Sequence, residues 1–471
     1  MLGVTVFPEY IQSEGIEPLL DNLLKRAPVS AVSISPYVMS LCPKDQGGER
    51  EPPADAEKGL TRLLERPLWG KKEVWVKASP SFTPNLDLYK GLRYQPSKAT
   101  SETRELGPII ADFIPAAQSR GLNVYFQIQS AIPPGYRVQF GGPIDDDRPL
   151  LPNGTKPNQT LDNNGSLASP HILEYGAALT TDLLHNYPGI DGIRIDWPEI
   201  PPYFLESIFI DFGPHVERFA NVNGFDFSSI REKATGTYNR FFGGLSNRDL
   251  EAYIQSPDLL ISDLRISEEQ AQLKSRIVAN LLTCFREAMD AAGGKEKALI
   301  PSAFPPPWNR LSGFDYGIGS EIASAISCKY YTMHWPMMLR NYSDSLKSYN
   351  PELSRGFVAQ CLCKAFEAVS PIPESSDAFE YPAPEDNHLV SHASLSDKQA
   401  LIEAESTNAP IWPLTHAYGP IDDMVARARA VFSVSKKRLW INRYAYLTDE
   451  KLDALGAMMR SETSNEGSPN Q

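Results

Sequence analysis

The stretch GIDGIRIDWPEIPPY, residues 189–203, sets Arg194, Asp196 and Glu199 at the end of an apolar run. Ionisable groups in such a place are costly to bury unpaired, so their spacing asks for a chemical reason. In a strand, alternate side chains share a face: Arg194 and Asp196 point one way, Ile193 and Ile195 the other. A guanidinium two residues from a carboxylate would keep it ionised and oriented, which suits a nucleophile or a group that stabilises an oxocarbenium-like transition state. The alternative is a buried Arg–Asp pair that ties a wall together. A partner acid has two candidates. Glu199 lies three residues past Asp196, in a segment stiffened by Pro198, Pro201 and Pro202, and Glu321 lies in GIGSEI. Glu199 also reads as an acid at a helix N-terminus, stabilised by the helix dipole.

The elements that must hold these residues alternate along the chain. Strand-like runs at 2–7, 30–38, 122–131, 189–196, 297–304, within 321–335, at 410–419 and at 438–447 are separated by helix-like runs such as 15–27, 109–121, 172–187 and 268–294. In the helix-like runs the apolar residues recur at three and four. Strands alternating with helices pair in parallel through right-handed crossovers, and eight such units close a (β/α)8 barrel. The fold expected is therefore an α/β (β/α)8 TIM barrel, one domain over 1–460, with insertions at about 39–105 and 132–170 on its C-terminal face and a disordered tail at 461–471. A doubly wound open sheet is the rival, but no G-x-G-x-x-G turn follows any strand.

In such a barrel, chemistry sits at the C-terminal strand ends. Those ends are polar and aromatic: Glu9 and Tyr10; Ser35 and Tyr37; Gln127 and Gln129; Arg194, Asp196, Trp197 and Glu199; Trp308 and Asn309; Tyr331, His334 and Trp335; His416 and Tyr418; Asn442, Arg443 and Tyr444. Flat rings beside carboxylates, amides and arginines are the lining expected of a carbohydrate site, although each ring taken singly also reads as core packing. His334 and His416 would bond sugar hydroxyls or serve as an acid. The other histidines, His171, His185, His215, His388 and His392, read as loop or helix-surface residues.

The run G-I-D-G-I-R-I-D resembles the fourth-strand motif of α-amylase-type glycoside hydrolases, in which a G-x-R-x-D strand end carries the catalytic aspartate. More broadly, a polar Asn/Pro-rich loop and a helix leading into D-G-x-R-x-D resemble uncharacterised glycoside-hydrolase-like barrel families. The motif covers about eight residues, and the strand pattern around it nearly the whole chain. The resemblance implies cleavage of a glycosidic bond in an oligo- or polysaccharide by a carboxylate pair, with Asp196 as nucleophile and Arg194 as its partner. The chain departs from the family pattern at two places. No Glu follows the fifth strand in ALIPSAFPPPWN, and the seventh ends in T-H-A-Y rather than N-H-D. Two other functions stay open. A barrel lyase, isomerase or aldolase would need a metal cluster or a Schiff-base lysine, for which Lys77 and Lys329 are the strand-end candidates. A non-catalytic barrel would keep the rings and lack the acid.

Composition narrows the partners. A formal net charge of −13 argues against nucleic acid and anionic membranes and favours a neutral or cationic ligand. No run reaches the ~20 apolar residues of a membrane span. Five scattered cysteines and an N-terminus that enters a strand at once, with no signal-type pattern, lead to the expectation of a reducing, cytoplasmic setting. No cofactor and no metal are expected. HLVSH at 388–392 has i, i+4 spacing but no acidic partner, and the Asp run at 145–147 reads as a solvated charge run.

Overall fold

The computed structural model describes residues 1–53, 62–137, 141–159 and 163–464. Eight parallel strands close into a barrel: β1 (Leu2–Thr5), β2 (Ala31–Ile34), β3 (Asn123–Gln129), β4 (Gly192–Asp196), β5 (Ala298–Ala303), β6 (Ile326–Tyr330), β7 (Ile411–His416) and β8 (Leu439–Asn442). Each strand pairs with its neighbours in sequence, and β8 returns to β1. The expected (β/α)8 barrel is the fold observed. Around it run α1 (Pro8–Glu14), α2 (Ile16–Arg26), α3 (Pro108–Ser119), α4 (Pro170–Asn186), α5 (Glu268–Ala291), α6 (Tyr316–Ile322), α7 (His334–Tyr349), α8 (His392–Glu405), α9 (Ile421–Phe432) and α10 (Asp449–Ser464).

The long connections leave from the C-terminal ends of the strands. After β2, residues 37–41, 49–51 and 74–80 form a three-stranded antiparallel sheet. Two further excursions, 197–267 and 331–391, carry helices of their own that the alternation of eight units does not reveal. α10 runs to Ser464, past the boundary expected for a disordered tail, and the rest of that tail lies outside the described residues. Among the described residues no helix is long and apolar enough to cross a membrane.

Strand alternation decides what fills the barrel. Tyr125, Trp412 and Trp440 point inward near the floor, where Trp412 and Trp440 stack with centroids 5.7 Å apart. Trp440 leaves no room on the adjacent strand: a Cβ on Gly3 would come within 2.0 Å of its ring. Glycine is therefore the only residue that fits at position 3 beside this indole. Arg194 occupies the layer above, with its guanidinium carbon 4.2 Å from the Trp440 ring centroid and Nη2 donating to Ser327 Oγ at 3.0 Å. The helices are started by local signals. Ser267 accepts from the Gln270 amide ahead of α5, and Ser169 does the same for Ile172 ahead of α4.

Candidate functional site

Asp196 closes β4, and its side chain, 17% exposed, stands at the C-terminal mouth. Its cationic neighbour is Lys329 of β6, whose Nζ lies 2.7 Å from Asp196 Oδ1. Gln127 of β3 donates to Oδ2 at 3.3 Å, and the Trp197 amide donates to Oδ1 at 3.1 Å. The carboxylate is thus oriented from three sides. Lys329 is itself buried, between the rings of Phe304 (5.0 Å) and Trp197 (5.6 Å).

The expected pairing of Asp196 with Arg194 is not what the structure contains. Both side chains face inward, but two residues of rise set Arg194 in the interior layer, fully buried on Trp440 and Ser327. It supports the barrel and contacts no cleft. Burial lowers it to about 10, with the charge of Asp196 among the opposing influences. Lys329 takes the place assigned to it. Strand parity carries the signal for this: Ser327, Lys329 and Tyr331 share one face of the β6 run.

Glu199 follows where the chain leaves β4. It is fully buried, and its carboxyl accepts from the Phe304 amide at 2.6 Å and from Ser312 Oγ at 2.9 Å. Burial pushes it up to about 7, opposed by the charge of Lys329 and the two hydrogen bonds and reinforced by Asp196. Ser312 Oγ also lies 3.2 Å from the Asn309 carbonyl, so when Glu199 carries its proton the hydroxyl can accept from the carboxyl and donate to that carbonyl instead. No helix begins at Glu199, which disposes of its reading as a helix-dipole acid.

Glu321 is excluded by direction. It sits exposed on α6, which leads into the N-terminal end of β6, the face opposite Asp196. Trp335 is also misassigned: it is 1% exposed and packs on Trp308 and Tyr330 within the core. Tyr444 is buried and turns its hydroxyl outward to Glu14 of α1 and Asn22 of α2. Trp308, also fully buried, is core as well.

The remaining strand-end residues line the mouth or its wall. Tyr331 meets His416 edge-on at 5.4 Å and His334 at 5.7 Å. His334 Nδ1 pairs with the Tyr203 hydroxyl at 2.8 Å, and burial together with the charges of Arg62, Arg443 and Lys329 lowers it to about 3. His416 Nδ1 accepts from the Tyr418 amide at 3.0 Å, and burial depresses it well below its ordinary value. Burial thus favours the neutral ring in both. Gln129 stands beside Asp196 in the strand register, buried, with Oε1 lacking a hydrogen-bond partner. Asn442 pairs in register with His416, half-buried.

Glu9 opens α1 just beyond β1 and is buried in a cluster absent from the sequence reading. The Tyr37 hydroxyl donates to it at 3.0 Å, Arg137 Nη1 lies at 3.5 Å, and Arg137 also pairs with Glu51. Burial raises Glu9 to about 7 against the pull of Arg137. Glu51 and Arg137 lie in the inserted segments, where no periodicity places them.

The metal-like motifs also change meaning. His388 is buried in a loop on Thr332, while His392 begins α8, so HLVSH offers no common face. Asp147 is not solvated: it is fully buried and bonded by Tyr94, Arg93 and Ser169, with the buried His215 3.1 Å away. Asp146, Asp147 and His215 converge closely enough to hold an ion, but Arg93 already bridges both carboxylates.

No family model and no curated protein matches the chain. Solved structures do. β-Galactosidase from the psychrophilic Marinomonas ef1 superposes with a TM-score of 0.51 at 11% identity, covering 99% of this chain and 60% of that one. The catalytic domain of β-amylase from Paenibacillus polymyxa gives 0.46 at 8% identity over 100% and 99% of the two chains. A class V chitinase from Pseudomonas fluorescens Pf-5 gives 0.39 at 11% identity over 98% and 99%. The chain thus spans about three fifths of the length of the Marinomonas enzyme. At such identity the likeness is one of fold, and the fold it shares with that enzyme is the barrel described above.

Proposed function

We propose that the protein is a glycoside hydrolase that cleaves a glycosidic bond in an oligo- or polysaccharide, with Asp196 and Glu199 as its carboxylate pair. The observation that carries the reading is the contrast between the two groups at one strand end. Asp196 is oriented by Lys329, Gln127 and the Trp197 amide and reaches the mouth. Glu199 is buried, with its carboxyl raised to about 7 by that burial. Two carboxyl groups in such different surroundings divide acid from nucleophile or base in this chemistry. In this reading Asp196 acts at the anomeric carbon, directly or through water, and Glu199 supplies the proton for the departing oxygen. Gln127, Gln129, Trp197, Tyr331, His334, His416, Asn442 and Arg443 bind the sugar. The match to a β-galactosidase barrel is in keeping with this. The test is turnover of a panel of aryl glycosides and oligosaccharides by wild type, Asp196→Asn and Glu199→Gln, with folding checked by circular dichroism.

Lys329 favours a second reading. It is an amine on an inward-facing strand position, 1% exposed and beside a carboxylate, which is the setting of a Schiff-base lysine acting on a carbonyl substrate. Borohydride reduction in the presence of small sugar aldehydes and ketones, followed by mass spectrometry of the Lys329 peptide, decides it. A stable adduct on Lys329 selects the lyase, and an unmodified lysine in a protein that turns over glycosides selects the hydrolase.

A further inference from the structure

Among the described residues, two cations near the mouth lie directly against carboxylates. Lys329 lies against Asp196, and Arg137 lies against Glu9 and Glu51. Arg443, which follows β8, makes no ion pair among the described residues although it is only 9% exposed; its Nε lacks a hydrogen-bond partner, Tyr446 is its polar neighbour, and the charge it feels from Glu51 is shared with Arg137, which pairs with that carboxylate directly. Its guanidinium is held instead by rings, with Cζ 5.0 Å from the Phe7 centroid and 5.5 Å from that of Tyr446. His416 packs on the same Tyr446 at 5.5 Å and on Tyr331 at 5.4 Å. Arg443 thus belongs to the wall that joins β7 and β8 on the Asp196 side.

A buried guanidinium is costly unless an anion completes it. Ring contacts hold its plane and leave Nε without an acceptor. A planar fork fixed in this way matches a carboxylate with two parallel hydrogen bonds. A neutral sugar offers hydroxyls, which satisfy the donors but not the charge. The chain's overall charge of −13 would repel such a ligand at long range, yet the Debye length is about 8 Å at physiological salt, so the local cation governs the bound state.

We propose that the site takes a sugar bearing a carboxylate, a uronic acid residue, and that Arg443 binds that carboxylate. This rests on the glycoside hydrolase reading for its chemistry but not for its test. Calorimetry of the full chain with methyl glucuronide and methyl galacturonide, against the corresponding neutral methyl glycosides, reads the preference without any turnover. At least one uronide binds the wild type roughly ten- to hundredfold more tightly than its neutral counterpart, and the advantage weakens as salt is raised. Arg443→Gln abolishes the advantage and Arg443→Lys keeps part of it. Equal binding of acidic and neutral sugars by the wild type, or no uronide binding, overturns the proposal whether or not either variant folds. A preference that survives in a folded Arg443→Gln protein overturns the assignment to Arg443. If neutral aryl glycosides are hydrolysed while uronides bind no better, the hydrolase reading stands and this inference falls. If uronides are preferred while no glycoside is cleaved, the reverse holds.

Discussion

Lys329 and Asp196 meet at 2.7 Å although β5 separates their strands. The contact spans the barrel mouth, and it makes a lysine of β6 the neighbour of the β4 carboxylate. Lys329→Met removes the cation and leaves Asp196, mostly enclosed, without its counter-charge. Breaking such a pair costs about 3–5 kcal/mol when both groups are buried. With Asp196 in partial contact with water, a loss of about 2–3 kcal/mol is expected in urea unfolding. Any glycosidase activity should fall about a hundredfold through lost orientation. A variant as stable and as active as wild type would remove Lys329 from the site.

Glu199 gives the protein a pH signature. A carboxyl raised from 4.5 to about 7 by burial keeps its proton in the folded state where the unfolded chain has released it. The folded state therefore binds more protons between those values, and stability falls as pH rises through that window. Glu9, raised in the same way, contributes a parallel slope. The difference between wild type and Glu199→Gln isolates the Glu199 share, about 3 kcal/mol between pH 4.5 and pH 7. Urea unfolding of both proteins at pH 5 and pH 8 measures it. Identical pH dependence in the two would contradict the buried, proton-holding Glu199. In turnover, wild-type kcat/KM should decline as pH rises past about 7, where the acid loses its proton.

Arg194 separates support from chemistry. It fills the interior on Trp440, Ser327 and Thr5 and does not reach the cleft. Arg194→Ala leaves a void beneath the mouth and is expected to cost about 3 kcal/mol or more in unfolding free energy. The fraction that stays folded should keep its KM. A stable variant with a raised KM would return Arg194 to the substrate.

Gly3 tests the barrel floor. An added Cβ would lie 2.0 Å from Trp440 Cε3, and that ring is fixed by its stack on Trp412 and by its donation to Thr5 Oγ1 at 3.0 Å. Gly3→Ala should lower the melting temperature by roughly 5 °C or more, since overpacking costs about 1–3 kcal/mol. Gly3→Ala combined with Trp440→Leu should recover part of that loss, and failure to do so would show that the indole is not the obstacle.

The barrel was legible in the sequence because each strand is a short apolar run with helical periodicity after it, and local pattern suffices for that. The position of Asp196 at the mouth was legible because it ends such a run. The partner of Asp196 was not: Arg194 is near in sequence, but strand rise lifts Asp196 out of its layer, and only the barrel's closure brings Lys329 across. Glu321 was drawn in by its nearness to β6 along the chain, whereas the direction of the strand sends it to the opposite face. The Glu9–Arg137–Glu51 cluster joins a strand end to two insertions, and neither composition nor period reports where an insertion folds back. Trp335 and Tyr444 show the same limit in reverse, since a ring beside a strand end is as easily turned into the core or toward the outer helices as into the mouth.

The central claim is that Asp196 performs chemistry at the mouth, and the most direct measurement is turnover of the aryl glycoside and oligosaccharide panel, uronides included, by wild type and by Asp196→Asn with matched circular dichroism. The account predicts that wild type releases product and that the isosteric change lowers kcat/KM by about three orders of magnitude or more while leaving the fold intact. Wild-type hydrolysis that survives in a folded Asp196→Asn protein would contradict it.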